Sequence, residues 1–174
     1  MNQTTATALG VGIFGGLATM LYMSTGTVLI WAAFVAWASF FAIGGTRAAV
    51  PLNITCNLFG VVVAWIVGLL ILANPFPGLA TPVWAGLLVL VSVVIYISAS
   101  VIPAFSSVPA VTFGYAATFA YISQTPDVFS TGTMLEFSFS NVLINVGLSM
   151  IGGTFFAYGS AWLSGVLAKP AADA

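Results

Sequence analysis

Histidine is absent from the 174-residue chain, and cysteine occurs once, as Cys56. Without imidazole there is neither His acid–base chemistry nor His metal ligation. A single thiol excludes an intramolecular disulfide and a thiolate metal cluster. Charge is as scarce: Arg47 and Lys169 are the only bases, and Asp127, Glu136 and Asp173 the only acids. So few cations cannot neutralise a phosphate backbone, which excludes nucleic acid as a partner. Nor do these residues assemble a nucleophile–base pair, so the expectation is a non-enzyme with no catalytic residue, cofactor or metal.

What fills the chain instead is apolar: 61% of residues are hydrophobic, 3% are charged, and the mean hydropathy is +1.18. Soluble domains carry about 25% charged residues, so the sequence reads as a single integral membrane domain over residues 1–174. Its apolar runs last about 20 residues without strict alternation, the signature of spanning helices rather than barrel strands. Six spans are predicted, near residues 7–23, 28–43, 52–72, 82–98, 108–122 and 139–167. Met1 to Ala6 reads as a polar lead without the cations of a cleaved signal, and residues 169–174 as a disordered tail. Between spans stand the Ser24–Thr27 turn, the Gly44-Gly45-Thr46-Arg47 break before Pro51, and the Asn74-Pro75-Phe76-Pro77-Gly78 loop. The Ser98–Pro109 region, with Pro103 inside it, reads either as a loop or as a broken helix. A cytoplasmic N-terminus would put Arg47 and Lys169 inside, as the positive-inside rule asks, and both termini in the cytoplasm. Gly12/Gly16 and Gly153/Ala157 let helix backbones approach closely, either within the chain or between copies of a homo-oligomer.

Two echoes run through this background. Trp37 to Ala42 (WASFFA) returns as Tyr115 to Ala120 (YAATFA) at an offset of 78, with an aromatic or small residue everywhere except Phe40 against Thr118. Asn53 and Asn57 stand four apart, as do Asn141 and Asn145, at an offset of 88. The pattern predicts an internal duplication over residues 7–76 and 83–167. Three spans per half is an odd number, so the second half would lie upside down relative to the first.

An amide inside a span must find a partner or cost free energy, so it seldom faces lipid. Asn57 and Asn145 are the leading candidates for a solute contact, and Asn53 and Asn141 extend each into a stripe along one helix face. Trp37 and Tyr115 are candidates for an aromatic slot, and Thr112, Thr118 and Ser39 for hydroxyl contacts. Each has a structural reading beside the functional one. Interhelical amide bonds serve as glue worth about 0.6–2 kcal/mol, hydroxyls bond back to their own helix, and aromatics pack. Asp127 and Glu136 read as solvated loop charges, Cys56 as a small buried hydrophobe, and Arg47 as a topology anchor.

Phe40 to Gly45 (FFAIGG) and, above all, Val108 to Ala120 (VPAVTFGYAATFA) resemble a group of small bacterial inner-membrane proteins, the domain-of-unknown-function family 1097. The resemblance covers most of the chain through its span order. It implies a bacterial plasma-membrane location and brings no activity and no site residues. A looser likeness, of architecture only, is to urea-type small-solute channels, where two inverted halves line a narrow pore with aromatics, Thr and amides. It rests on the Gly44-Gly45-Thr46-Arg47 turn before an Asn-bearing helix and on Val108 to Thr112 before an aromatic span.

Coupled transport normally needs an ionisable group at membrane depth, and the predicted spans hold none in their middles. The expected function is therefore a passive channel for a small uncharged solute resembling urea, an amide or ammonia. Its expected partners are the lipid bilayer, that solute and further copies of the chain. The alternative is a non-transporting accessory subunit packed against a larger membrane complex.

Overall fold

The computed structural model describes residues 1–168; the tail expectation for residues 169–174 lies outside them. Asn2 begins the first helix, its Oδ1 accepting from the Thr5 amide at 2.8 Å, so the supposed polar lead is part of α1, Gln3–Thr25. Then follow α2 (Ile30–Ala42), α3 (Ala49–Ala73), α4 (Thr81–Ser98), α5 (Val108–Gln124), the short α6 (Thr131–Leu135) and α7 (Val142–Leu167). The described residues contain helix and no strand.

Four of these helices are long and apolar enough to cross a bilayer: α1, α3, α4 extended to Val101, and α7. At 1.5 Å per residue, α2 with 13 residues reaches about 20 Å and α5 with 17 about 26 Å, both short of a hydrocarbon core of about 30 Å. The reason for the short α2 is local. Gly44 and Gly45 take φ values of 107° and 62°, a left-handed region that stops the helix and is open chiefly to glycine. At α7, Asn141 caps the first turn through the Leu143 amide at 2.9 Å, so this helix starts three residues beyond the expected Phe139. The Ser98–Pro109 region is neither a plain loop nor a through-going helix. It makes two 3-10 turns, Ala99–Val101 and Pro103–Phe105, with Ile102 extended between them as the following proline requires. Thr55 on α3 holds it down, donating to Ala104 O at 2.8 Å, and Phe105 stacks on Phe59 at 4.2 Å.

The helices α1 to α5, and then α7, alternate in direction. The Met1 amine donates to Leu167 O at 3.2 Å and Tyr22 Oη to Ser149 O at 2.9 Å, so α1 and α7 are antiparallel. Along α2 and α7, Leu29 meets Ser149 and Ala33 meets Gly153, so those two are parallel. Gly60 lies against Val111 and Gly68 against Ile122, which makes α3 and α5 parallel as well. Antiparallel α3 and α7 meet at the centre, Asn53 opposite Thr154, with Val61 and Val146 in one apolar cluster. On the outside, α1 packs on α7 and α4 on α3.

Small residues make the tight crossings, as expected where no hydrophobic effect drives helix association. A Cβ on Gly60 would overlap the Val111 carbonyl, one on Gly114 the Asn57 carbonyl, and one on Gly153 the Ala33 backbone. The Gly153/Ala157 face is therefore occupied within the chain by α2 and its neighbours, which corrects its reading as a contact between copies. The Gly12/Gly16 face has nothing near it and stays open.

Candidate functional site

Buried positions recur between three pairs of helices, each pair at its own offset. The buried residues of α2 (Ala32, Ala33, Ala36, Trp37, Ser39 and Phe40), moved by 78, fall on buried residues of α5 without exception. For α3 and α7 the offset that superimposes burial is 93 rather than 88. It carries Ala49 to Val142, Asn53 to Val146, Asn57 to Met150, Gly60 to Gly153, Val61 to Thr154 and Ala64 to Ala157. At 74, Ala18 and Tyr22 of α1 fall on Ser92 and Tyr96, the buried residues of α4. Asn57 and Asn145 are thus not counterparts, and Asn145 aligns instead with Leu52.

The amides consequently part company. Asn53 is saturated: its Nδ2 donates to Ala36 O at 3.0 Å and Thr154 Oγ1 at 2.9 Å, and its Oδ1 accepts from Ser39 Oγ at 2.6 Å. Asn145 donates to Thr27 O at 2.8 Å and Phe139 O at 2.7 Å, tying the start of α7 to two connections. Asn141 donates to Met134 O at 2.9 Å and Glu136 O at 2.8 Å while capping α7. Asn57 alone among them is incomplete. Its Oδ1 lies 3.3 Å from Ser39 Oγ, and its Nδ2 has no partner although the residue is 1% exposed. Ser39 has one proton, which goes to the closer Asn53 Oδ1. Turning the Asn57 amide lets it donate to Ser39 Oγ instead, but then the Oδ1 end is free. In either orientation at least one end of this amide is unsatisfied, at a cost of about 1–3 kcal/mol.

The remaining candidates are held structurally. Thr112 and Thr118 donate back to Val108 O at 2.9 Å and Gly114 O at 3.0 Å, each in its own helix. The Tyr115 hydroxyl pairs with Ser92 Oγ at 2.8 Å. Trp37 stacks on Phe34 at 5.6 Å, and its buried Nε1 has no partner. The register explains the difference: where Tyr115 finds Ser92 on α4, Trp37 has Ala18 on α1. Trp37 and Tyr115 sit on opposite flanks of the bundle rather than in one slot. A surface groove of about 360 Å³ beside Trp37 is lined by Thr7, Val11 and Phe41; one of about 430 Å³ on the other flank is lined by their register partners Thr81, Ala85 and Phe119. Neither is lined by Asn57 or Asn145.

What the fold does bring together is Ser39, Asn53, Asn57 and Thr154, one each from α2 and α7 and two from α3. Each is at most 1% exposed. Thr154, which also donates to Met150 O at 2.9 Å, has no sequence signal beyond being one hydroxyl among many in an apolar helix. The profile of the family described as Protein of unknown function (DUF1097) matches residues 8–165. The chain belongs to that family. The matched stretch takes in the amide cluster and nearly all of α1 to α7. No curated protein and no solved structure matches the chain.

Proposed function

We propose that the protein is a passive facilitator for a small uncharged polar solute of the urea, amide or ammonia kind, built from two inverted repeats of three spans each. The observation that carries this reading is the unsatisfied end of Asn57, buried where the halves meet. Inverted-repeat proteins keep their sites at that interface, near the bilayer midplane. The repeat reading is supported by the helix packing: which helices pack together is kept when α1, α2 and α3 are exchanged for α4, α5 and α7, although α1 covers more of α7 than α4 does of α3. Under that exchange α3 on α5 becomes α7 on α2, and α1 on α7 becomes α4 on α3. The two-fold axis lies in the membrane plane, and α2 and α5 count as the two short spans. An amide offers both donor and acceptor, which suits a neutral solute, and no acid or base lies in the helices that surround it.

In this reading the protein lies in the bacterial plasma membrane, with its termini and Arg47 cytoplasmic and the Asp127 and Glu136 connection outside, as the positive-inside rule favours. Copies associate through the open Gly12/Gly16 face of α1. The test is stopped-flow light scattering on proteoliposomes, with urea, acetamide and ammonia against sodium and chloride. Neutral solutes should cross faster than through empty vesicles, and ions should not. Equal rates with and without protein, for every neutral solute, would favour the accessory-subunit alternative, whose support is the extensive uncovered surface of α4.

A further inference from the structure

The amide cluster has an apolar counterpart. Carried through the register, Ser39 becomes Ala117, Asn53 becomes Val146, Asn57 becomes Met150, and Thr154 becomes Val61. These four partners are buried together in the central cluster, each at most 3% exposed. Where α2, α3, α5 and α7 pack together, the four polar residues therefore lie on the side of Arg47 and their four apolar partners on the side of Asp127, with Asn145 and Tyr121 beyond them at that end. Asn57 and Met150 stand between the two, at the level where α3 and α7 cross. A core with no task beyond stability would not need a buried amide left open at that boundary, since an apolar residue of similar shape removes the cost.

We propose that Met150, backed by Val61, Ala117 and Val146, is the closed gate of the solute path, and that the polar half of the path ends at Asn57 beneath it. The proposal rests on the facilitator reading. An apolar constriction blocks flow by excluding water, and a methionine, unbranched and flexible, is suited to swing aside. The open amide gives an arriving solute the hydrogen bond that the resting protein lacks.

The probe is urea, measured by stopped-flow light scattering on proteoliposomes holding the wild-type chain, Met150→Ala or Met150→Asn, each scaled to folded protein. Val146→Ala serves as a third variant should either substitution at Met150 prevent folding. The gate predicts a rise in urea permeability of about tenfold or more when its side chain is shortened or made polar. A second readout does not depend on the solute. In a Cys56→Ala background, Val61→Cys should resist a small water-soluble thiosulfonate and become reactive once Met150→Ala is added. If wild-type vesicles pass urea and the variants pass it no faster, with Val61→Cys still protected, the gate is overturned and the facilitator reading stands. Should all vesicles match empty ones while Val61→Cys stays protected in both backgrounds, both fall. Faster urea entry, or newly reactive Val61→Cys, supports the gate.

Discussion

Asn53 and Asn57 lie one helical turn apart and have opposite expected behaviour. Removing the side chain of Asn53 takes three buried hydrogen bonds, leaving Ser39 the 3.3 Å contact with Asn57 Oδ1 and Thr154 its bond to Met150 O. At about 0.5–1.5 kcal/mol for each hydrogen bond lost, Asn53→Leu should lower the unfolding temperature in detergent markedly. Asn57→Leu discards an amide with an unsatisfied end, so stability should change by less than about 1 kcal/mol while solute flux falls. Asn145→Leu is a third case. It cuts two ties to the backbone and should cost about 1–2 kcal/mol by the measure of interhelical bonds in membranes, with flux per folded molecule unchanged. Thermal unfolding and flux recorded on the same preparations separate the three. Equal losses of stability for Asn53→Leu and Asn57→Leu would show that the open amide end is filled in the membrane.

Among the helices, glycines of the same composition should behave differently according to what faces them. Gly60→Ala and Gly114→Ala would drive a methyl into the backbone of the partner helix, with no flexible side chain to yield. Overpacking of this kind costs about 1–3 kcal/mol or more, and the α3–α5 crossing should open or the protein fail to accumulate. Gly12→Ala and Gly16→Ala meet open space within the chain and should leave the monomer's unfolding temperature unchanged or slightly higher. Native mass spectrometry of the Gly12→Leu/Gly16→Leu double variant then reads whether copies use that face. These differences also show what the sequence could disclose. The long apolar runs made the helices legible, and the α2–α5 echo was legible because aromatic and small residues recur at an offset of 78. The α3–α7 match in burial was hidden because its two sides differ in polarity: Val146 falls opposite Asn53 in that register, and Met150 opposite Asn57. The pairs Asn53/Asn57 and Asn141/Asn145 offered a closer visual match at 88, yet Asn141 and Asn145 are there to cap and fasten the start of α7. Thr154 was illegible because only the crossing of α3 and α7 gives its hydroxyl a partner.

At the scale of the whole molecule, direction along the membrane normal is the property that the proposed inverted repeat constrains. The alternation from α1 to α7, with α6 lying in a connection, brings the Gly44–Arg47 turn to the same end of the bundle as Met1 and Leu167. The connection carrying Asp127 and Glu136 comes to the other end, beside the turn after α1, since Asn145 at the start of α7 bonds to Thr27. Short α2 and α5 do not break this order, because each runs parallel to a long central helix, α7 and α3. Single cysteines at Thr46 and Asp127, in a Cys56→Ala background, should therefore label from opposite sides of the membrane. A membrane-impermeant maleimide applied to intact cells should reach Asp127→Cys and spare Thr46→Cys until the cells are opened. The reverse pattern would preserve the alternation and overturn the orientation argued from Arg47. Labelling of both from outside would mean that α3, α4 and α5 do not make an odd number of crossings. The second half would then not be inverted relative to the first, and the shared site between them would lose its symmetry argument.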